Sequence, residues 1–191
     1  FFNEYIKKNS YYPRSKYEHP DNPIQDYNPE YALELLNQAG WSKKRGDKWL
    51  TNEEGEIFEI EEFHIVQGWD RILNYFVQDL ESVGIKLNLV VIQNPFERVM
   101  DRKFKLYSGG WVGSLLPGPE GMLHSKFSEK LDVTNITGMA NPEIDKLLED
   151  YYMNWDMKER IKILQKIDSL ATREYHWAFG WGAPYGYRSL N

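Results

Sequence analysis

IFEIEEFHIVQGWDRILNYFVQDLESVGIKLNLVVI, residues 57–92, is the stretch on which the fold turns. Its first part alternates from Ile57 to Ile60 and continues toward Phe63 and Ile65, the two-residue period of a strand. From residue 69 the period changes, and Ile72, Leu73, Phe76, Leu80 and Val83 share one face of a helix over 69–83. Gly84 breaks that helix, and Ile85 to Ile92 reads as an apolar-rich strand. Strand, helix and strand in this order form a crossover unit, the connection that parallel strands require.

Toward the carboxyl end, Asn94 as cap and Pro95 at the first helical position open a second helix to Arg102, and residues 105–111 supply a third strand. The order β, α, β, α, β implies an α/β fold with a parallel or mixed sheet covered by helices. Toward the amino end, residues 46–62 read as a hairpin with Trp49 and Leu50 before a polar turn at Asn52 to Gly55. Asn28-Pro29-Glu30 starts a helix carrying Ala32, Leu33, Leu35, Leu36 and Ala39, which Gly40 ends. Residues 1–27, with Tyr-Tyr-Pro, His-Pro and Asn-Pro steps, are expected to be an irregular lead-in after a short opening helix.

Beyond the third strand, residues 112–140 show little periodicity, too long a span for an ordinary connection and so expected to be functional or wrapped over the surface. Asn141-Pro142-Glu143 then caps a helix with Ile144, Leu147, Leu148 and Tyr151 on one face. Asp156 and Glu159 form a capping-box pattern before a helix with Ile161, Leu164, Ile167 and Leu170 inward. The tail from His176 to Tyr187 is aromatic, glycine-punctuated and strand-like. The domain reading is a single unit over 1–191, lead-in 1–27 and α/β body 28–191.

Composition excludes several classes. The 191 residues are 41% hydrophobic and 15% aromatic, enough for one sizeable core. Against 29 acidic residues stand 23 basic ones, a formal net charge of −6, so no basic field draws nucleic acid or anionic membrane. No run reaches the roughly 18 apolar residues of a spanning helix, and the start FFNEYIKKN lacks the regions of a signal peptide. The chain has no cysteine, which removes disulfides and thiolate chemistry. His19, His64, His124 and His176 are widely spaced and read as lone polar or surface groups, so no metal site is implied. GxGxxG, GxxxxGK[ST] and GxSxG are all absent, and no carboxylate pair is marked for acid–base work. No cofactor and no catalytic residue are assigned.

The candidate site lies in KFKLYSGGWVGSLLPGPEG, residues 103–121. The alternating strand ends in Gly109 and Gly110, with Gly113 close behind, where backbone can approach a ligand, and Trp111 would stand at the strand's carboxyl end, where α/β sheets bind ligands. The competing reading of Trp111 is a core tryptophan at a strand terminus, and of Pro117 and Pro119 a stiffened surface loop. Four of the seven tryptophans follow glycine, at Trp41, Trp69, Trp111 and Trp181, without matching flanks, so they form no repeat.

YNPEYALELLNQAGW, VQDLESVGIKLNLVVI, YSGGWVGSLLPGPE and ANPEIDKLLEDYYMNWDMKERIKILQKIDSLATRE, in that order, resemble the extracellular solute-binding proteins of family 5, the dipeptide- and oligopeptide-binding proteins of ABC importers. The resemblance runs over about residues 27–185 and includes Gly84-Ile85-Lys86 and Arg160 of the second paired helix. It implies a type II periplasmic-binding-protein-like lobe, a mixed sheet covered by helices, from a two-lobed receptor that closes on its solute and hands it to a membrane permease. It further implies an extracytoplasmic, non-catalytic protein, and this chain reads as one lobe cut from something longer. Ser114, Leu115, Pro117, Gly118 and Glu120 are also similar to the branch associated with microcin C import. Ligand contacts are expected from Gly110, Trp111, Gly113, Ser114, Leu115 and Glu120. Peptide-binding members commonly carry an aspartate three residues after the tryptophan, where this chain has Ser114, so an ion pair to a ligand amine is missing. The ligand is thus left open among peptides, modified peptides, sugars and other small oligomers. A ligand-sensing domain of a transcription regulator and a carbohydrate-active enzyme are the rival readings; the latter would need two carboxylates facing one cleft.

Overall fold

The computed structural model describes residues 5–110, 114 and 116–182. In chain order the elements are β1 (Ile6–Lys7), α1 (Pro29–Gln38), β2 (Glu59–Val66), α2 (Asp70–Ser82), β3 (Lys86–Ile92), α3 (Pro95–Met100), β4 (Leu106–Tyr107), α4 (Glu120–Leu123), a 3₁₀ turn (Ser125–Phe127), α5 (Pro142–Met153), α6 (Met157–Arg173) and β5 (Trp181–Gly182). They fall into two compact units. Tyr27–Val112 forms a sheet unit, while Phe1–Asp26 and Gly113–Asn191 together form a helical unit.

In the sheet unit the strand order is β3-β2-β4, and both pairings are parallel. The crossover expected from residues 57–92 is therefore present, with α2 carrying the chain from the central strand to its neighbour. Ile60 and Phe63 are an odd number of residues apart, which in a regular strand would put them on opposite faces. A register shift between them inserts the extra residue, and Ile60 packs against the same cluster as Phe63 and Ile65. Leu73, Val77 and Leu80 of α2 close that cluster with Leu87 and Leu89. Phe76, expected inward, is 43% exposed and keeps only an edge contact with Phe63 at 6.5 Å; Val77, one turn after Leu73, takes the inward place.

Gly84 ends the helix as expected, at φ +91°. Its carbonyl accepts the Leu50 N–H at 2.7 Å, and a Cβ there would lie 3.1 Å from the Leu50 nitrogen. Gly84→Ala combines left-handed strain with that contact and should cost about 2–3 kcal/mol, a melting temperature lower by about 4–10 °C. Gly40→Ala is the control, because Gly40 has φ +89° but nothing within 4 Å of its Cβ position. Equal losses in thermal melts of the two variants would mean that the Leu50 contact contributes nothing.

Three expectations for this unit need correction. The hairpin over 46–62 is present but short: Thr51 faces Ile57 antiparallel across the turn, the Phe58 N–H donates to the Leu50 carbonyl at 2.8 Å and the Asn52 N–H to that of Glu56, while the Leu50 N–H goes to Gly84 and Asn52 Oδ1 accepts from the Glu54 and Glu56 N–H groups. The strand over 105–111 is only Leu106–Tyr107, continued by one bond from Ser108 N–H to the His64 carbonyl at 2.9 Å. Asn94 stands at the start of α3 without a side-chain capping bond, whereas Asn28 does cap α1, accepting from the Tyr31 N–H at 3.0 Å.

In the helical unit α5 and α6 pack together around Ile144, Leu148, Tyr151, Leu164, Ile167 and Ala171. Asn141 caps α5 through the Glu143 and Ile144 N–H groups, and Asp156 caps α6 through Lys158 and Glu159. The reciprocal half of the capping box is replaced: the Asp156 N–H donates to Asn154 Oδ1 at 2.8 Å, and Glu159 pairs with Lys162. The segment before α5 does more than wrap the surface, since Leu123, Asn135, Ile136 and Met139 are buried. Asn135 grips the Met139 backbone through both its amide groups. The expected opening helix is not seen at Ile6–Lys7; these residues are extended and pair antiparallel with Trp181–Gly182. The lead-in is tied to α6 by Asp168, a fully buried carboxylate.

Candidate functional site

The approach to the site is set by β4. Ser108 is fixed by its backbone bond to His64, and at Gly109 a Cβ would fall 2.4 Å from the Tyr107 ring, so a larger residue would have to displace that ring. Gly110 is different: it is exposed and has open space on its side-chain direction, so a ligand backbone can approach it. Of the remaining expected contacts, Trp111, Gly113 and Leu115 lie outside the described residues. Ser114 is exposed and belongs with Glu120 to the helical unit, whereas Gly110 belongs to the sheet unit.

The loop into Glu120 is anchored. Leu116 is 56% exposed, but Pro117 and Pro119 are buried, so these prolines are seated in the unit and the surface-loop reading of them is corrected. The Tyr151 hydroxyl donates to the Pro117 carbonyl at 2.8 Å. Beneath it, the Arg160 guanidinium lies 4.1 Å from the Tyr151 ring centroid, and the Tyr152 ring meets Tyr151 edge-on at 5.1 Å. Burial raises the Tyr152 hydroxyl's pKa, partly offset by a hydrogen bond from the Glu120 backbone. Glu120 opens α4, and its carboxylate pairs with Lys126.

Sequence reasoning placed Tyr151 on the inward face of its helix and stopped there. The signal it passed over is a hydroxyl-bearing ring at an otherwise aliphatic position, which has to find an acceptor when buried. Two histidines also depart from expectation. His64 is buried in the central strand with Nε2 3.1 Å from the Glu62 carboxylate, and His124 Nδ1 is 3.1 Å from Asp145. Among the described residues no three His, Asp or Glu side chains gather to hold a metal ion.

A parallel sheet with a crossover helix, followed by an irregular segment and a capped helix pair, is the arrangement of type II periplasmic binding proteins. The oligopeptide-binding protein AppA of Bacillus subtilis, solved with a nonapeptide, aligns at a TM-score of 0.73 and 24% identity over 85% of this chain and 34% of its own. An oligopeptide-binding protein of Thermus thermophilus with a bound pentapeptide gives 0.80 and 19% over 96% and 34%. An oligopeptide-binding protein of Thermotoga maritima with bound mannohexaose gives 0.77 and 17% over 97% and 38%. The model of bacterial extracellular solute-binding proteins, family 5 middle, matches residues 1–131, and the chain belongs to that family. The probable peptide-binding protein YejA of Agrobacterium fabrum is 22% identical over 141 residues, 72% of this chain and 23% of that protein. The chain thus spans about a quarter to two fifths of the length of these relatives. The family match begins in the lead-in and stops before α5, while the structural likeness continues through the helix pair.

Proposed function

We propose that this chain is part of the substrate-binding component of an ABC importer, which captures short peptides or related oligomeric solutes outside the cytoplasm and delivers them to a membrane permease. The observation that carries the proposal is the family match, which runs through the turn at Gly110 and the loop to Glu120. The proposed contacts are Gly110, Trp111, Gly113, Ser114, Leu115 and Glu120. Gly110 offers open space to a ligand backbone, and Trp111 offers a stacking face. Ser114 supplies a neutral hydroxyl where an ion pair would need a carboxylate, and the Glu120 carboxylate is engaged by Lys126. Recognition therefore rests on backbone and shape more than on a free amine. The solved relatives with bound peptides and with mannohexaose support an oligomer of this size. Nothing in the family or the fold favours an enzyme or a regulator.

Calorimetric titration of the intact receptor with penta-alanine, its N-acetylated form and mannohexaose tests the reading. The free and acetylated peptides should bind within about threefold of one another, because the charge-assisted bond that would separate them is missing. A preference of more than tenfold for the free amine would require a carboxylate that this assignment omits. Failure of all three probes to bind would overturn the oligomer reading.

A further inference from the structure

We infer that Tyr151 and Arg160 are positioning residues for the candidate binding loop, setting ligand affinity without touching the ligand. The inference rests on the reading of residues 114–120 as contact residues. Pro117 has no N–H, so a helix or sheet ladder cannot fix the loop at that point, and its carbonyl is the group available to hold it. That carbonyl accepts from the Tyr151 hydroxyl, whose ring is 1% exposed at the end of α5. Arg160 of α6 packs over the same ring, its guanidinium carbon 4.1 Å from the centroid, so the ring is backed by the neighbouring helix. Tyr152, the next residue, meets Tyr151 edge-on at 5.1 Å, and its hydroxyl stands 3.8 Å from the Cβ position of Gly118. The loop is thus tied to α5 at Pro117 by the Tyr151 hydroxyl, and the ring that carries that hydroxyl is backed by one arginine from the neighbouring helix. Neither Tyr151 nor Arg160 was among the expected contacts, and Tyr151 is buried.

Amide hydrogen exchange on the intact receptor separates positioning from general stability. Tyr151→Phe keeps the ring and the stacked arginine and removes only the hydroxyl. Protection at Met122, Leu123 and His124, whose amides donate to the Pro119 and Glu120 carbonyls, should fall by up to about tenfold, the loss of one buried hydrogen bond, while Ile144, Leu148 and Leu164 keep theirs within about twofold. Arg160→Gln should loosen the same three amides, and Arg160→Lys, which keeps the cation, should restore part of the protection. Penta-alanine affinity should fall in step with loop protection across the three variants. Unchanged exchange at Met122, Leu123 and His124, or equal loss there and in α5 and α6, overturns the positioning role. A loosened loop with unchanged affinity overturns the assignment of 114–120 as ligand contacts, and the inference falls with it.

Discussion

Asp168→Asn is expected to lower the melting temperature by about 5–10 °C, a loss of about 2–4 kcal/mol, since hydrogen bonds to a charged group are lost and donors are left facing one another. Asp168 is fully buried in α6, and among the described residues no lysine or arginine is paired with it. Instead it is held by donors from the lead-in. Oδ1 accepts from the Ser10 hydroxyl at 3.0 Å and the Tyr11 N–H at 2.9 Å; Oδ2 accepts from Ser10 at 2.9 Å, the His19 N–H at 2.9 Å and the Asn22 amide at 2.6 Å. An asparagine cannot satisfy this set in either orientation. Its NH₂ would face the Tyr11 N–H on one side, or the His19 N–H and the Asn22 amide on the other, placing donor against donor. The buried carboxylate adds to burial in pushing the Tyr11 and Tyr12 hydroxyls well above their ordinary range. Ser10→Ala removes one hydroxyl, which also accepts the Tyr12 N–H at 2.8 Å, and should cost only about 1–3 kcal/mol. Thermal melts of both variants check this. A shift below about 2 °C for Asp168→Asn would mean that the lead-in is held by its aromatic packing and not by the carboxylate.

The crossover was legible because the change of period at residue 69 is a property of the local sequence, and Gly84 and the capping asparagines mark ends that local chemistry decides. The bulge between Ile60 and Phe63 was not, since an extra residue in a strand is visible only against its partner's register. The length of β4 failed for the same reason: the alternation runs to Gly109, but strand pairing is confined to Leu106–Tyr107, with the Tyr107 ring lying against Gly109. Asp168 did leave a trace. Leu164, Ile167, Asp168 and Ala171 follow the i, i+3, i+4, i+7 stripe, so a carboxylate occupies a position that the pattern reserves for apolar residues. Such an exception marks a buried network, although its partners, more than 140 residues away in sequence, could come only from the structure. For the site, the sequence placed the candidate contacts at the end of a strand, and the structure adds the exposed Gly110 and Ser114 and the seated prolines. It also adds the tyrosine pair behind the loop, whose role depends on hydroxyl direction and not on periodicity.

The central claim is that solute capture depends on the glycine-rich segment after β4, with Trp111 as its main contact. Penta-alanine titrated into the intact receptor and into its Trp111→Ala variant tests this most directly, with Trp111→Phe and thermal melts alongside. A stacked aromatic anchor is worth roughly 2–3 kcal/mol, so Trp111→Ala should weaken binding by about 30- to 150-fold, and Trp111→Phe by less. The melting temperature should stay within about 2 °C, because a residue presented to ligand contributes little to the core. Unchanged affinity together with a large fall in melting temperature would show that Trp111 is a core residue, and the assignment of this segment as the binding site would be wrong.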